Sequence, residues 1–275
     1  MPHEGSDLRM AQPVSIRTLA QWSRGADWRL ALPHAEAEHA LVWITRGQAR
    51  ILLDGVQRGL GVHNAVAIPA GSVFGLTPGP HCFGWVATIA PRGPIMMPDT
   101  AQVLRILEAH NQAELTGLLE AMQRETNRGL PFADEALAAH AALVTVWLRR
   151  MMIDHPMPTR PSAAARLVAA YSALVERDFR LPRVMADYAA ELGVTPTHLT
   201  RACRQSAGLT AGELLVRRTL HAARLALEDG EMPVAHVAAS LGFGSAAYFS
   251  RFIQHHTGKT PTALRKAARA PRIGL

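Results

Sequence analysis

At 275 residues, 48% of them apolar, the chain is long enough for two domains that each bury a core. No apolar run appears long enough to cross a bilayer, and the N-terminus lacks the apolar segment of a secretion signal, so we expect no membrane contact and a cytoplasmic location. The two cysteines, Cys82 and Cys203, exclude a disulfide framework and suit a reducing compartment.

The net charge of +7 is unevenly distributed. Residues 1–160 contain 14 basic and 14 acidic residues, whereas residues 161–275 contain 15 and 8, so the whole excess lies in the C-terminal part. A basic domain attracts polyanions, which favours nucleic acid as its partner. The plainer alternative is a basic face that only aids solubility.

Along the chain, residues 1–14 show no periodic pattern and are expected to form a mobile arm. From there to about residue 90 the segments are short, rich in β-formers and separated by Gly or Pro, and Asp54-Gly55 is a strong hairpin signal. This spacing predicts an all-β barrel or sandwich over residues 1–98. The strand candidates are residues 41–44, 49–53, 66–69, 72–76 and 83–89.

Helices are predicted next, over residues 99–155. Two amphipathic helices, 101–109 and 112–126, precede a turn and a longer helix over about 134–152. In the longer helix, apolar residues recur at alternating spacings of four and three, which is typical of a heptad seam. The seam either packs onto the β domain or joins two subunits. Its residues are Leu137, Ala141, Val144, Leu148 and Met151.

The proline-rich segment 156–162 predicts a semi-stiff linker, after which residues 163–270 form a helical domain. This domain contains an internal repeat, since residues 192–194 are matched 49 positions on and several later residues are matched 50 positions on. Each copy has the pattern of two helices around a Gly turn, which is the helix-turn-helix of DNA-binding proteins.

The second copy carries the clearest signals. Gly242 supplies a left-handed residue for the turn, and Phe243 is expected to pack into its corner. Ser245 can cap the next helix, and Thr260-Pro261 can open the one after it. The segment VAASLGFGSAAYFSRFIQHHTGKTP resembles the second helix-turn-helix of the AraC family of bacterial transcription regulators, whose pattern is roughly A-x-x-x-G-F-x-S-x-x-Y-F-S-R followed by G-x-T-P.

Two departures from the family pattern concern the second reading helix. Ile253 stands where the family usually has Phe, and Gln254-His255 replace a basic pair. We expect weaker contacts with the DNA backbone there.

The resemblance implies a multidomain regulator, with an N-terminal all-β cupin-like barrel bearing appended helices and a C-terminal all-α domain whose two helix-turn-helix units are joined by a linker helix. It implies sequence-specific binding to double-stranded DNA, RNA polymerase as a partner, as for an activator, and a homodimer through the heptad seam. A small-molecule effector in the barrel, no enzyme activity and no cofactor are further expectations. Two alternatives stay open: a barrel used only for assembly, and a metal-dependent cupin enzyme fused to a DNA-binding domain.

The linker helix sets the spacing of the two units. Thr210 and Glu213 form a capping box, and the helix that follows has about eighteen residues and a length of roughly 27 Å. A helix of this length can hold two recognition helices about 34 Å apart, which is one turn of DNA. We therefore expect a single chain to read two successive major grooves.

The candidate reading residues differ between the two units. Arg201 is expected to form a bidentate contact with guanine, and Arg204 to meet phosphate. In the second unit, Ala246 and Ala247 have no side-chain hydrogen-bonding groups. The first unit is therefore expected to carry more of the base specificity, and the second more of the anchoring to the DNA backbone. The alternative for Arg201 and Arg251 is a surface salt bridge, for Arg251 with Glu213 or Glu228. The DNA-binding candidates are Thr195, Thr197, Thr200, Arg201, Arg204, Ser245, Ala246, Ala247, Tyr248, Ser250 and Arg251.

The cupin-enzyme alternative requires a metal site. Residues 61–71 approximate the second ligand motif of enzymatic cupins, but Phe74 occupies the place of its ligand histidine. The first motif's region offers no paired histidines and holds only His34, Glu36, Glu38 and His39. Metal binding and catalysis are therefore not expected.

Three further residues have two interpretations each. His34 and His39 are either polar residues of a loop and a strand edge, or contacts to an effector at a barrel mouth near Trp43, Arg46 and Arg50. We assign no effector site because the strand register is undetermined. Cys82 is more simply a small residue beside a strand than a redox sensor.

Overall fold

The computed structural model describes residues 14–154 and 161–269. The predicted mobile arm, apart from Val14, and the predicted linker, apart from its last two residues, lie outside the described residues. The described strands all belong to the N-terminal part: β1 (Val14–Thr18), β2 (His34–Ala35), β3 (His39–Arg46), β4 (Ala49–Leu53), β5 (Val56–Leu60), β6 (Asn64–Ile68), β7 (Val73–Pro78), β8 (Phe83–Ile89) and β9 (Gln102–Arg105).

The described helices lie between and after these strands. Their bounds are α1 (Leu19–Trp22), α2 (Trp28–Ala31), α3 (Ala109–Arg128), α4 (Ala133–Asp154), α5 (Ala163–Asp178), α6 (Met185–Glu191), α7 (Pro196–Ala207), α8 (Ala211–Glu228), α9 (Val234–Ser240), α10 (Ala246–Thr257) and α11 (Pro261–Arg269).

The strands form two antiparallel sheets, with the orders β1-β8-β3-β6-β9 and β2-β7-β4-β5. Side chains alternate along β3, so that Val42 and Ile44 pack against the second sheet while Leu41 and Trp43 pack against α3 and α4. The predicted β domain with appended helices is therefore confirmed. The predicted hairpin is also present, since Leu53 pairs with Val56 across Asp54-Gly55.

Apolar side chains fill the space between the two sheets. They form one cluster with α1 and α2, so the interior of the sandwich is a packed core. The strand residues of this cluster are Ala40, Val42, Ile44, Ala49, Ile51, Leu53, Leu60, Val66, Ile68, Phe74, Leu76 and Val86.

The prediction of a helix over residues 101–109 is wrong. Residues 102–105 form β9, which pairs with the edge strand β6 from Asn64↔Arg105 to Ala67↔Gln102, and the helix begins only at Ala109. In so short a segment, apolar residues fit either period, and the unpaired edge of β6 decides the outcome. The sheet consequently extends beyond the predicted domain end at residue 98.

The heptad seam of α4 lies inside the subunit. Its five residues are at most 4% exposed and pack with β1, β3, β6, β8 and α3 in one cluster. The prediction that Leu137, Ala141, Val144, Leu148 and Met151 contact a second subunit is therefore wrong, and the alternative of packing onto the β domain holds. The seam is the apolar face by which α4 covers the sheet.

Helix α4 also corrects the expectation that no apolar run could span a bilayer. By length and composition, it is the one described helix that could do so. Seven of its side chains are buried in the N-terminal domain, and packing against the sheet accounts for its apolar character.

The C-terminal domain has its own core, formed by residues of α5 to α11. The Tyr171 hydroxyl donates a hydrogen bond to the carbonyl of Ala211 at 2.7 Å, which ties α5 to the start of α8. Arg218 of α8 donates two hydrogen bonds to the Glu176 carboxylate of α5, at 2.5 and 2.7 Å. Helix α8 is thus fixed against the rest of the domain along its length.

The two domains pack against each other along α8. Asp229, just after α8, accepts hydrogen bonds from Arg24 and Arg29 of the N-terminal domain at 3.1 and 2.9 Å. The His34 ring of β2 stacks on the His221 ring of α8, with 4.1 Å between centroids. Leu32 and Leu52 also pack against the C-terminal core, so the contact includes charged, aromatic and apolar groups.

Candidate nucleic-acid interface

The second helix-turn-helix comprises α9 and α10. Gly242 has φ +78° and forms the turn between them. The Phe243 ring fills the corner as predicted, with its centroid 5.1 Å from those of Phe249 and Phe252. Phe249 and Ile253 are buried, so α10 has one face fixed in the core and the opposite face free.

The first unit, α6 and α7, repeats this geometry. Its helices have seven and twelve residues, like α9 and α10, and Gly193 has φ +65° at the equivalent turn position. The Thr195 hydroxyl accepts a hydrogen bond from the first turn of α7 at 3.2 Å, and the Ser245 hydroxyl does the same for α10 at 3.2 Å. Both reading helices end at a left-handed glycine. The predicted repeat is therefore present in three dimensions.

The predicted DNA-binding residues lie on the free faces of α7 and α10 or at their caps. All of them are exposed except Thr200 and Ser250, which are half-buried at equivalent positions. Tyr248 is 57% exposed although its ring also contacts that of Phe243 at 5.8 Å. The structure thus presents these groups to solvent on two similar helices; their contacts with bases remain predictions.

Arg201 and Arg251, the equivalent arginines of the two free faces, have no acceptor for their side chains among the described residues. Within residues 14–154 and 161–269, no ion pair or hydrogen bond from the side chain of Arg201 or Arg251 is present. Glu228 pairs instead with Arg224 at 2.7 Å. The salt bridge proposed as the alternative for Arg251 is therefore not formed, and both guanidinium groups are available to a ligand.

Helix α8 connects the two units and begins as predicted. The Glu213 carboxylate accepts a hydrogen bond from the Thr210 amide at 2.6 Å, and the Thr210 hydroxyl accepts one from the Glu213 amide at 3.1 Å. The bond from the Thr210 amide lowers the pKa of Glu213, which keeps the carboxylate charged beside the helix N-terminus. With eighteen residues, α8 is a spacer of roughly 27 Å.

Two more residues of α7 belong to this surface. His198 and Gln205 are exposed and line a groove with Arg201. Their spacing of three and four residues around Arg201 places all three on one helical face, and this signal was available in the sequence.

Of the residues considered for a metal or an effector in the N-terminal domain, His34 and Glu36 lie 3.3 Å apart, while Phe74, His39 and Trp43 lie elsewhere. Phe74 is fully buried and stacks on Trp22 at 5.5 Å inside the sandwich. His39 accepts a hydrogen bond from the Ala70 amide, and Trp43 donates one to Thr116 on the helical side of the sheet. Among the described residues, no three His, Cys, Asp or Glu side chains lie close enough to hold a metal ion.

His34 lies in β2, the edge strand of the second sheet, but its side chain is buried. It is 2% exposed, and its Nδ1 lies 2.8 Å from the Leu32 carbonyl. The strand-edge position predicted from the sequence is therefore correct, but the side chain is buried because α8 docks against it and His221 stacks on its ring.

The two cysteines are in unreactive surroundings. Cys203 is fully buried in the C-terminal core, and burial raises its pKa to about 12. Cys82 is half-buried, and burial raises the pKa of its thiol above the ordinary value. Neither thiol has the lowered pKa of a redox sensor.

A model of a helix-turn-helix domain matches residues 188–267, which include both reading helices. The probable transcription factor PqrA of Proteus vulgaris is 32% identical over 79 residues, covering 29% of this chain and 65% of PqrA. The arabinose operon regulatory protein of Salmonella typhimurium is 28% identical over 134 residues, covering 47% of this chain and 46% of that protein.

The chain therefore spans between about half and two thirds of the length of these relatives. Among solved structures, ToxT from Vibrio cholerae O395 aligns over 94% of this chain and 98% of its own, at 16% identity and a TM-score of 0.41. Residues 188–267 therefore match a helix-turn-helix domain, and through it the chain is similar to transcription regulators of the AraC type.

Proposed function

We propose that this protein is a sequence-specific, DNA-binding transcription regulator that inserts α7 and α10 into successive major grooves on one side of the duplex. The observation that carries the proposal is the equivalence of the two helices. They have the same length, a hydroxyl cap and a glycine end, and each places an unpaired arginine at the same position of its free face, Arg201 or Arg251. A rigid spacer of about 27 Å matches readers that follow one turn of DNA.

The two readers have different roles in this proposal. The free face of α7 offers Arg201 and Arg204, which can form bidentate bonds to guanine and bonds to phosphate. At the start of α10, Ala246 and Ala247 offer no side-chain hydrogen bonds, so Arg251 contributes mainly through its charge. The first unit then supplies most of the base discrimination and the second most of the anchoring.

Selection of bound duplexes from a random DNA pool tests the proposal. The wild type is expected to select two half-sites about one helical turn apart. Arg201→Ala should relax the preference at one position by about 1–3 kcal/mol, while Arg251→Ala should weaken all sites alike and reduce the salt dependence by about one counterion. Arg124→Ala removes the same charge from an exposed site on α3 and should change neither property.

Two results would contradict the proposal. If the selected duplexes showed no preferred sequence, the protein would not be a sequence-specific regulator. A relaxed preference in Arg251→Ala together with uniform weakening in Arg201→Ala would reverse the roles of the two helices.

The proposal also includes a homodimer, which forms through a surface other than the buried heptad seam of α4. The outer face of α4 exposes Leu143, Val146 and Ile153, at 53%, 39% and 78%, and their spacings of three and seven residues place them on one helical stripe. We place the subunit contact there. Ile153→Glu should shift the sedimentation of the full chain towards the monomer, whereas unchanged sedimentation would exclude this face.

The proposal has four further parts. The protein acts as an activator that recruits RNA polymerase, it is cytoplasmic, it has no enzyme activity, and a small-molecule effector controls it. The packed sandwich interior disfavours an effector inside the barrel. Transcription in a purified system, with the selected DNA site placed upstream of a promoter, tests the polymerase partner. An unchanged transcript level would exclude activation.

A further inference from the structure

Two buried histidines meet where the domains pack together. His34 of β2 and His221 of α8 are 2% and 7% exposed, and their rings are parallel to within 9° with 4.1 Å between centroids. The rings belong to different domains, so the stack exists only while the domains are docked. We propose that this pair is a pH-sensitive switch, which keeps the domains docked while at most one ring is charged and lets them separate when both are.

The surroundings of His34 can accommodate one charge. Its Nδ1 lies 2.8 Å from the Leu32 carbonyl, and its Nε2 lies 3.3 Å from the Glu36 carboxylate. A carbonyl and an ionised carboxylate only accept hydrogen bonds, and a neutral imidazole has a single N–H to donate, whereas the charged ring has two. A charged His34 can therefore donate to both oxygens without moving.

His221 lacks such surroundings. Its Nε2 faces the Arg29 carbonyl at 3.2 Å, so this nitrogen carries the hydrogen of the neutral ring and Nδ1 is the site for a second one. The groups that face the ring are cationic, titratable or aromatic. From α2 they are Arg29 and Trp28, from β2 His34, and from its own helix Arg218. Burial, together with His34 and Arg218, lowers the pKa of His221.

The two arginines are each bonded to a carboxylate, Arg218 to Glu176 and Arg29 to Asp229. These pairs offset one another's charge, so the second proton in the stack has the larger effect. Two like charges at the spacing of the rings repel strongly in a buried site. Separation of the domains removes the repulsion and returns the His221 ring to water.

The direction of the pH dependence follows from the state in which His221 takes up its proton. In the undocked chain the ring has the ordinary pKa of about 6.5, whereas burial lowers this pKa in the docked chain. The undocked state therefore binds more protons, so docking is stable above this pH and weakens as the pH falls below it. One additional proton changes the ratio of undocked to docked chains by up to about tenfold per pH unit.

Undocking should affect the second helix-turn-helix more than the first. Asp178, at the end of α5 before the first unit, accepts hydrogen bonds from Arg177 and Arg183 of its own domain. At the corresponding place before the second unit, Asp229 accepts a bond at 2.9 Å from Arg29 of the N-terminal domain. The second unit thus depends on the other domain for this support. This consequence rests on the proposed function, whereas the switch itself does not.

Small-angle X-ray scattering on the full-length protein tests the switch, as the pH is lowered from about 7.5 to about 4.5. Far-ultraviolet circular dichroism on the same samples reports helix content. The radius of gyration of the wild type should increase while the helical signal is unchanged, because the domains separate before either unfolds.

His221→Gln cannot become charged but still offers an N–H to the Arg29 carbonyl, so this variant should remain compact until its helical signal is lost. His236→Gln is the matched control, because it removes an exposed histidine of the same domain, and it should expand like the wild type. His221→Phe keeps a ring for His34 to stack on and gives the same test if His221→Gln does not fold.

Two results would overturn the switch: a wild type that does not expand before its helical signal falls, or a folded His221 variant that expands over the same pH range as the wild type. Gel-shift measurements with the selected DNA, at pH values of about 7.5 and 5.5, accompany the scattering, and acid should weaken the wild type more than His221→Gln. Expansion without specific DNA binding at either pH would leave the switch standing and refute the proposed function. Specific binding without expansion would refute the switch alone.

Discussion

The turn of the second helix-turn-helix allows a sharp test, because its glycine has a matched partner in the first. Gly242 and Gly193 both have positive φ, +78° and +65°, so an alanine at either position incurs about 1–2 kcal/mol of left-handed strain. At Gly193 an added Cβ meets nothing within 4 Å, whereas at Gly242 it would lie 2.2 Å from the Arg180 carbonyl oxygen. The turn and the end of α5 would have to separate by roughly 0.8 Å before the contact reaches 3.0 Å.

Displacing packed backbone adds to that strain, so we expect Gly242→Ala to lower the free energy of unfolding by about 3–5 kcal/mol and Gly193→Ala by about 1 kcal/mol. Urea unfolding followed by far-ultraviolet circular dichroism measures both, since the C-terminal domain is helical. The reasoning is refuted if the two substitutions have equal cost, because the steric contact with Arg180 is the main difference between them.

Three further predictions concern buried groups. Leu148→Ala should lower the free energy of unfolding by about 2–5 kcal/mol without changing the subunit stoichiometry of the folded protein, as sedimentation will show; a change in stoichiometry alone would restore the seam as an interface. Burial, together with the neighbouring His34 and Arg218, lowers the pKa of His221 to about 2. The unfolded chain therefore takes up the proton first, and stability should fall as the pH drops below about 6.5, by up to about 1.4 kcal/mol per pH unit. His221→Phe should flatten this dependence between pH 6.5 and pH 5 in urea titrations, and an unchanged slope would assign it to other groups. Cys203 should react with a thiol reagent only after unfolding, and Cys82 slowly in the native protein, so rapid native labelling of Cys203 would contradict its burial.

The C-terminal domain was predictable because its signals are local. A capping hydroxyl and a glycine at the end act within a few residues and recur in both reading helices, and α7 also has a proline in its first turn. Thr195, Thr210 and Ser245 cap the helices for which the sequence predicts them. The repeat doubled the information, since an ambiguous residue in one unit could be compared with its equivalent in the other.

The N-terminal domain was less predictable because pairing partners decided its details. Strand β9 has the composition of a short helix and becomes a strand because β6 offers a free edge. The seam of α4 has the spacing of a coiled coil, but this face of the helix packs against the nearby sheet. Similarly, His34 has no local feature that indicates burial, since its environment consists of α8 and Phe74.

The domain contact along α8 also limits how this protein can be divided. A fragment cut within the segment between α4 and α5 would place the His221 ring in water and leave the Asp229 carboxylate without its arginines. Such a fragment would be measured in a state that the intact chain does not adopt, even if its helices fold. Chimaeras that join this C-terminal domain to another N-terminal domain therefore need a surface equivalent to Arg29 and His34, or replacement of the exposed groups on α8.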